Sequence, residues 1–181
     1  MALYAAFYNA TRPGAPGIYN HLVRAFEGGP HSHCEIVFSN GDSASASFMD
    51  KGARFTGDGY DFPKIDFNSG KWDLVRLPDE YEAGARAYWV AHEGWSYDIR
   101  GNIRFIFPWG NRDSALKVFC SEGLLACLGV PEAWRFGVNS ARAVCLRLGT
   151  EYVLTQELQN LRNPFTDVDT AVPVLTQMAD A

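Results

Sequence analysis

The dipeptide Asn40-Gly41 constrains the fold more than any other feature, because it separates two segments with the composition of β-strands. The first segment, 33–38, is rich in β-branched and aromatic residues, and the second, 43–49, is rich in serine. Asn-Gly favours a two-residue hairpin turn, in which both central residues adopt positive φ. We therefore predict an antiparallel hairpin closed by these two residues.

Other segments alternate between helical and β-like patterns. Ile18, Leu22, Val23 and Phe26 recur at helical spacing, and Gly28 follows them as a stop signal. Further strands are predicted at 3–8 and 72–77, and further helices at 79–92 and 119–128. Hairpin strands with intervening helices predict an α+β domain, in which an antiparallel sheet packs against helices.

The chain of 181 residues has the size of one domain. Hydrophobic residues make up 47% and charged residues 20%, which predicts a globular fold over most of the length. We expect a folded domain at 1–160 and a tail or docking segment at 161–181, where hydrophobic periodicity is weak. The segments 50–71 and 95–113 are interrupted by glycine and proline and are predicted to be long loops, which are usually functional.

Charge and hydropathy exclude several classes of protein. The formal net charge is −5 and no basic run occurs, so we expect no nucleic-acid partner. No uninterrupted apolar stretch of about 18 residues is present, so we expect no transmembrane segment. The N-terminus has no positively charged region before its apolar run, which predicts no signal peptide. The expected location is therefore the cytoplasm, and the expected state of the thiols is reduced.

Cys120 and His33 are the residues best suited to chemistry. Cys120 begins the predicted helix 119–128, where the positive end of the helix dipole lowers the pKa of a thiol and favours the nucleophilic thiolate. A histidine within hydrogen-bonding reach would hold the proton and later return it. His33 leads the predicted strand 33–38 and is the candidate for this role.

Structural explanations exist for the same residues. A free cysteine is most often a small buried core residue, and this reading suits Cys127 and Cys145, which lie in apolar helical runs. His33 could be a hydrogen-bonded histidine at a strand entrance. A metal site is a third alternative, with the ligands His31, His33, Cys34 and Glu35. Since no second ligand cluster and no C-x-x-C pair is present, we expect neither a metal nor a cofactor.

Three short motifs follow one another in an order that resembles a known family. They are Ser-His-Cys-Glu-Ile-Val-Phe at 32–38, Gly-Trp-Ser-Tyr-Asp at 94–98 and Phe-Cys-Ser-Glu-Gly-Leu at 119–124. Over residues 3–130 the chain resembles the circularly permuted NlpC-like (YiiX-like) cysteine hydrolases of papain-like fold, which are distant relatives of lecithin–retinol acyltransferase. In that family the histidine precedes the cysteine, as it does here.

The resemblance implies a papain-like α+β fold and a cysteine hydrolase without a cofactor. Cys120 would be the nucleophile and His33 the general base. Tyr97 matches a tyrosine near the nucleophile and would bind substrate or donate a hydrogen bond to an oxyanion. The substrate would be a peptide or an acyl compound, with cell-wall peptides and lipid acyl groups as candidates. The chain departs from the family pattern at Gly123 and Cys34, where an apolar residue and a valine are common.

The third catalytic group depends on the register of the hairpin. Glu35 is the first candidate, because residues i and i+2 of a strand share a face and His33 lies two residues before it. In the expected two-residue turn, Glu35 lies opposite Ala46, and the serines of the returning strand fall on the other face. A three-residue turn with a bulge would instead place Ser47 opposite Glu35.

A second hypothesis for the function is a structural or docking protein. Small proteins of the family occur in bacteria and phages, so the resemblance implies a bacterial or phage source, with a virion as the location if the gene is carried by a phage. A virion component would be an example of such a docking protein. It would keep the fold and bind a protein partner through segment 161–181. Loss of Cys120 or His33 would favour this hypothesis, and both residues are present.

Overall fold

The computed structural model describes residues 2–55, 66, 69–99, 101 and 116–151. The expected tail at 161–181 lies outside the described residues, as does a large part of the expected loops at 50–71 and 95–113.

One mostly antiparallel sheet organises the described part of the chain. Its strands are β1 (Tyr4–Tyr8), β2 (His33–Val37), β3 (Ser43–Ser47), β4 (Gly52–Phe55), β5 (Trp72–Arg76), β6 (Ser96–Tyr97), β7 (Lys117–Val118) and β8 (Thr150–Glu151). They lie in the order β7-β6-β4-β3-β2-β1-β5-β8. Neighbouring strands are antiparallel except β6 and β7, which are parallel. The expected α+β class with an antiparallel sheet is therefore confirmed.

Helices pack against this sheet. They are α1 (Ala15–Glu27), α2 (Glu82–Ala91), α3 (Cys120–Cys127) and α4 (Val138–Leu148), with short 3-10 helices at Asp79–Tyr81 and Ala133–Arg135. Helix α3 packs on β2 and β3, while α4 packs on β1, β5 and β8. Alternation along the strands supplies the core: Ala5 and Phe7 join the helix-covered cluster, while Ala6 and Tyr8 join a smaller cluster with Trp72.

Helix α1 forms where its apolar spacing predicts, but it buries a different face. Ile18 and Phe26 are 65% and 52% exposed, and Leu22 is also exposed, whereas Val23 is buried. The inner face carries Asn20, whose amide donates a hydrogen bond to Ser32 Oγ at 2.9 Å. This helix is therefore attached through Val23 and a polar contact, and the other three members of its apolar stripe are exposed to solvent.

The expected loop at 50–71 begins with a strand instead. Gly52 lies so close to the backbone carbonyl of Trp95 that a Cβ atom there would overlap it. This close approach lets the Ala53 N–H donate to the Trp95 carbonyl at 2.8 Å and brings β6 beside β4. Gly52, which suggested a loop, thus serves the pairing of strands.

The hairpin turn at Asn40-Gly41 contains three residues rather than the expected two. The Phe38 N–H donates to the Asp42 carbonyl at 2.8 Å, and Ile36 pairs with Ala44. Only Gly41 adopts positive φ in this turn, at 87°. Asn40 does not, because its side-chain Oδ1 instead accepts a hydrogen bond from the Asp42 N–H at 3.1 Å. The expected register, with Glu35 opposite Ala46, is therefore wrong.

In the observed register, the side chains of β3 lie on the faces of the sheet opposite to those that the two-residue turn predicts. Continued from the pair of Ile36 with Ala44, it places Ser45 opposite Glu35 and Ser47 opposite His33. The serines of β3 therefore share the face of His33 and Glu35, whereas both turns considered from the sequence give a different pairing.

Gly123 is explained by the packing of α2 on α3. A Cβ atom at Gly123 would lie 2.5 Å from Cη2 of the fully buried Trp89. We expect Gly123→Ala to destabilise the fold by about 1–3 kcal/mol through overpacking, measured by urea unfolding. The matched control is Gly84→Ala on α2, where a new Cβ atom meets nothing within 4 Å and a gain of about 0.5–1 kcal/mol is expected. Equal stability of the two variants would contradict this account.

Candidate active site

Cys120 is the first residue of α3 and is buried, with 2% of its surface exposed. The helix start is held by Glu122, whose Oε2 accepts a hydrogen bond from the Phe119 N–H at 3.3 Å. Hydrogen bonding by Cys34 and by His33 lowers the pKa of the Cys120 thiol, against the effect of burial. These donors, and the dipole of α3, all favour a negative charge on this sulfur.

His33 is the first residue of β2 and joins Cys120 to a carboxylate. Its Nε2 lies 3.3 Å from Glu35 Oε1, and its ring meets Trp72 edge-on with centroids 6.3 Å apart. Burial alone would lower the pKa of His33, but the hydrogen bonds to Cys120 and Glu35 raise it to about 9. The imidazole is therefore held in its protonated form at neutral pH.

Glu35 in turn is held by Arg54 of β4. Arg54 Nη2 lies 2.6 Å from Glu35 Oε1, and Arg54 Nε lies 3.0 Å from Asp50 Oδ2. Burial would raise the pKa of Glu35, but the hydrogen bond to His33 and the charge of Arg54 lower it to about 2. The carboxylate stays ionised and supports the charged imidazole.

The site is therefore a chain of alternating charges. The hydrogen bond from Cys34 is the largest influence on Cys120, and together with the charge of His33 it lowers the Cys120 pKa well below its usual value, against the effect of burial. Burial and the ionised neighbour raise the pKa of Cys34 well above its usual value, so Cys34 stays a thiol and donates. The arrangement is a buried thiolate–imidazolium pair with a carboxylate behind it, which is the state that a cysteine nucleophile requires.

The four thiols should differ sharply in reactivity. Burial raises the pKa of Cys145 to about 12 and that of Cys127 even higher. An ordinary thiol of pKa about 8.5 is only about 0.3% ionised at pH 6. We expect iodoacetamide at pH 6 to label Cys120 first, as read by mass mapping of peptides, and His33→Ala to abolish this preference. Preferential labelling of Cys127 or Cys145 would contradict the prediction.

The alternative metal site at His31 and His33 does not form in the described structure. His31 precedes β2 and lies in a separate network, with Nε2 2.6 Å from Asp73 Oδ2 and Nδ1 3.1 Å from Asn139 Oδ1. Among the described residues no group of three or more histidine, cysteine or acidic side chains is placed to hold a metal ion. His31 links the sheet to α4 instead.

A cavity of about 640 Å³ opens beside His33, and its lining includes Tyr97. The Tyr97 hydroxyl lies 3.0 Å from the Tyr19 hydroxyl, which joins β6 to α1. The wall is mostly apolar and includes Pro16, Phe48, Met49 and Ile99, with Arg12 as a charged member. Phe48 and Met49 are 62% and 56% exposed, so the apolar wall continues to the surface.

Three members of this site were not identified from the sequence. Cys34 was noted only as a ligand of the alternative metal site and as a departure from a family pattern, and Arg54 and Asp50 carried no signal of their own. Arg54 pairs with Ser45 in the β3–β4 ladder, and Ser45 lies opposite Glu35 in the observed register. Identification of β4 as a strand and correct registers for the β2–β3 and β3–β4 pairs would therefore have been needed to reveal Arg54 as the partner of Glu35.

No protein-family model, curated protein or solved structure gives a significant match to this chain. In the described part of the chain, no helix is both long enough and apolar enough to cross a membrane.

Proposed function

We propose that this protein is a cysteine hydrolase that transfers an acyl group to Cys120 and then to water. The observation that carries the proposal is the buried relay from Cys120 through His33 to Glu35, in which His33 also lines an apolar cavity. The position of a cysteine at the start of a helix, packed on an antiparallel sheet that carries the histidine, supports a papain-like fold in permuted order.

The first half of the reaction uses the ion pair. The Cys120 thiolate attacks the carbonyl carbon, and the carbonyl oxygen becomes an oxyanion near the N-terminus of α3, where backbone N–H groups favour negative charge. Tyr97 lies in the wall of the cavity and is our candidate for a further donor. His33 gives its proton to the leaving group, and an acyl-thioester remains on Cys120.

The second half returns the enzyme to its starting state. Neutral His33 takes a proton from water, and the resulting hydroxide attacks the thioester. The acid leaves, the sulfur recovers its negative charge, and His33 is again protonated. Glu35 holds the ring through Nε2 and stabilises its positive charge in each protonated state.

The cavity favours an apolar acyl group over a polar cell-wall peptide. Its wall residues Pro16, Phe48, Met49 and Ile99 offer no charge to a peptide. Each buried methylene of an acyl chain gains about 0.8 kcal/mol on leaving water. A medium-length acyl chain is therefore the substrate part that this surface binds best.

A docking role without turnover does not account for the charged relay. Burial of a thiolate, an imidazolium and a carboxylate together is costly, and an apolar replacement of similar shape is often neutral or stabilising. Groups with strongly shifted pKa values beside a cavity are typical of catalytic sites. The relay therefore favours an enzyme over a docking protein that only keeps the fold.

The test compares p-nitrophenyl acetate with p-nitrophenyl octanoate. We expect kcat/KM to be at least about tenfold higher for octanoate, since six more methylenes enter the cavity. Met49→Glu should lower the octanoate rate and spare the acetate rate. Val90→Glu is the matched control, since Val90 is 58% exposed on α2 and should change neither rate.

The outcomes separate the substrate class from the chemistry. Turnover of both esters at equal efficiency, with Met49→Glu indistinguishable from Val90→Glu, would contradict the apolar acyl substrate and keep the cysteine hydrolase. Absence of Cys120-dependent turnover for both esters and for a panel of peptide amides would contradict the hydrolase itself.

A further inference from the structure

We propose that one face of the protein binds a lipid surface that carries anionic headgroups. This lipid-binding face consists of the outer side of α1 and the mouth of the cavity beside His33. It brings the protein to a place where acyl chains are found, and the choice of a lipid as the partner rests in part on the acyl substrate of the proposed function.

The outer side of α1 carries a row of exposed apolar side chains, Ile18, Leu22 and Phe26. Because an α-helix has 3.6 residues per turn, residues four apart lie on the same face. Tyr19 lies beside this row, three residues before Leu22, and it also lines the cavity. Large contiguous apolar patches are uncommon on the surface of soluble monomers, and they mark interaction sites.

The mouth of the cavity continues this apolar surface. Phe48, Met49 and Ile99 are exposed and line the cavity together with Tyr19. In the part of the chain that the structure describes, six of the eight exposed large apolar side chains belong either to the row on α1 or to this mouth. The exposed apolar surface is therefore concentrated on one face instead of being scattered over the molecule.

The turn after β3 presents two of these side chains beside a cation. The Lys51 N–H donates to the Phe48 carbonyl at 3.2 Å, and the Asp50 N–H donates to Ser47 Oγ at 3.0 Å. These hydrogen bonds close the turn within the chain itself. Phe48, Met49 and Lys51 are all exposed in it, and apolar side chains next to a basic one are typical of segments that lie in a lipid interface.

The charge of this face is opposite in sign to that of the whole chain, which has a formal net charge of −5. The two segments that supply most of the face, 12–27 and 48–54, contain four cations and two acids, namely Arg12, Arg24, Lys51, Arg54, Glu27 and Asp50. Both acids have partners within the fold. Glu27 Oε2 accepts a hydrogen bond from the Asn139 N–H at 2.9 Å, and Asp50 Oδ2 lies 3.0 Å from Arg54 Nε.

This excess of positive charge decides between the possible partners. A second copy of the same face would bring like charges together, which opposes association. Anionic headgroups attract the cations, and the acyl region below them takes up the apolar side chains. A lipid surface with anionic headgroups therefore satisfies both properties of the face.

The experiment measures how much of the full chain sediments with sucrose-loaded vesicles. One set of vesicles contains phosphatidylcholine alone, and the other also contains phosphatidylglycerol. We expect stronger binding to the vesicles with phosphatidylglycerol and a decrease of this binding as salt is raised. Phe26→Glu should lower the affinity at least about tenfold, since it removes apolar area and adds a repelled charge. The matched control is Val90→Glu on α2, which should bind like the wild type.

A second pair of variants tests the charge. Lys51→Gln should lower the affinity for the anionic vesicles about fivefold. Arg147→Gln removes an exposed cation from α4, which packs elsewhere on the sheet, and should leave the affinity unchanged. Leu22→Glu repeats the apolar test at a second position of the row and should act like Phe26→Glu.

Several results would overturn the lipid-binding face. They are absence of binding to both kinds of vesicle, equal binding to both, equal effects of Phe26→Glu and Val90→Glu, and a dimer in light scattering that Phe26→Glu dissociates. Hydrolysis of soluble p-nitrophenyl acetate is measured in parallel and should be the same in Phe26→Glu and the wild type. Vesicle binding without esterase activity would contradict the hydrolase alone, and esterase activity without vesicle binding would contradict the lipid-binding face alone.

Discussion

Cys120→Ser is expected to lower hydrolysis of p-nitrophenyl octanoate by at least about 10³-fold. Serine keeps the size of the side chain, but its hydroxyl is far less acidic than a thiol, so the ion pair with His33 is lost. The rate of the variant is measured against the uncatalysed reaction, and its fold is checked by circular dichroism. The reason for so large an effect is that no later step proceeds without the covalent thioester.

The matched control for this substitution is Cys127→Ser, which changes the other end of the same helix. Cys127 is buried and its thiol donates to the Leu124 carbonyl, a bond that a serine hydroxyl also makes. Its rate should stay within about threefold of the wild type, because most changes outside the reacting groups alter turnover little. Similar rates in Cys120→Ser and the wild type would contradict the assignment of the nucleophile.

Local patterns, together with the family resemblance, were sufficient to select Cys120, His33 and Glu35 as candidate site residues. The start of a helix is signalled by its own sequence, and two residues of one strand share a face by the period of the strand. Burial of the thiols and the antiparallel sheet follow from composition and alternation. The assignment of catalytic roles to these residues stays a prediction.

The part of the site that depends on register was not predictable in the same way. The turn at Asn40-Gly41 has three residues instead of the expected two, because the Asn40 side chain accepts a hydrogen bond from the Asp42 N–H. This competition of a side chain with the backbone moves every later pair of the hairpin by one residue and turns the serines of β3 over. Arg54 enters the site only through that altered register.

The cavity was not predictable either, because its walls come from distant parts of the chain. Pro16 lies on α1, Phe48 and Met49 follow β3, and Ile99 follows β6. Each of these residues has an unremarkable local pattern. The exposure of the apolar stripe on α1 is a related case, since the spacing of Ile18 and Leu22 predicts the helix but not which face the sheet covers.

The interaction of Glu35 with His33 contributes to the pH above which catalytic activity is lost. Activity requires the protonated ring, and the pKa of His33 is raised to about 9 by Cys120 and Glu35 against the effect of burial. In the pH profile of the wild type, the midpoint of the alkaline decrease in kcat/KM should therefore lie near pH 9. Since the carboxylate favours the charged ring, its removal lowers the pKa of His33 and moves that limb to lower pH.

Glu35→Gln is accordingly expected to lower kcat/KM at pH 7 by at least about tenfold, since the ion pair is less populated and the ring is less firmly oriented. The measurement is a pH profile of octanoate hydrolysis, in which the alkaline limb must move to lower pH in the variant. A loss that came from damaged packing alone would reduce the rate at every pH and leave the limb in place. The profile thereby distinguishes an electrostatic role of Glu35 from a structural one.

The control is Glu82→Gln, because Glu82 also pairs with an arginine, Arg86 at 2.8 Å, but does so on α2. It should leave the pH profile unchanged.

Arg54→Met adds a test of the relay. It leaves Glu35 ionised beside His33 but removes the group that holds Glu35 Oε1 at 2.6 Å. The rate should therefore fall, while the alkaline limb stays at a higher pH than in Glu35→Gln. An unaltered limb in Glu35→Gln, together with unaltered turnover, would show that another group supports the imidazolium and would remove Glu35 from the mechanism.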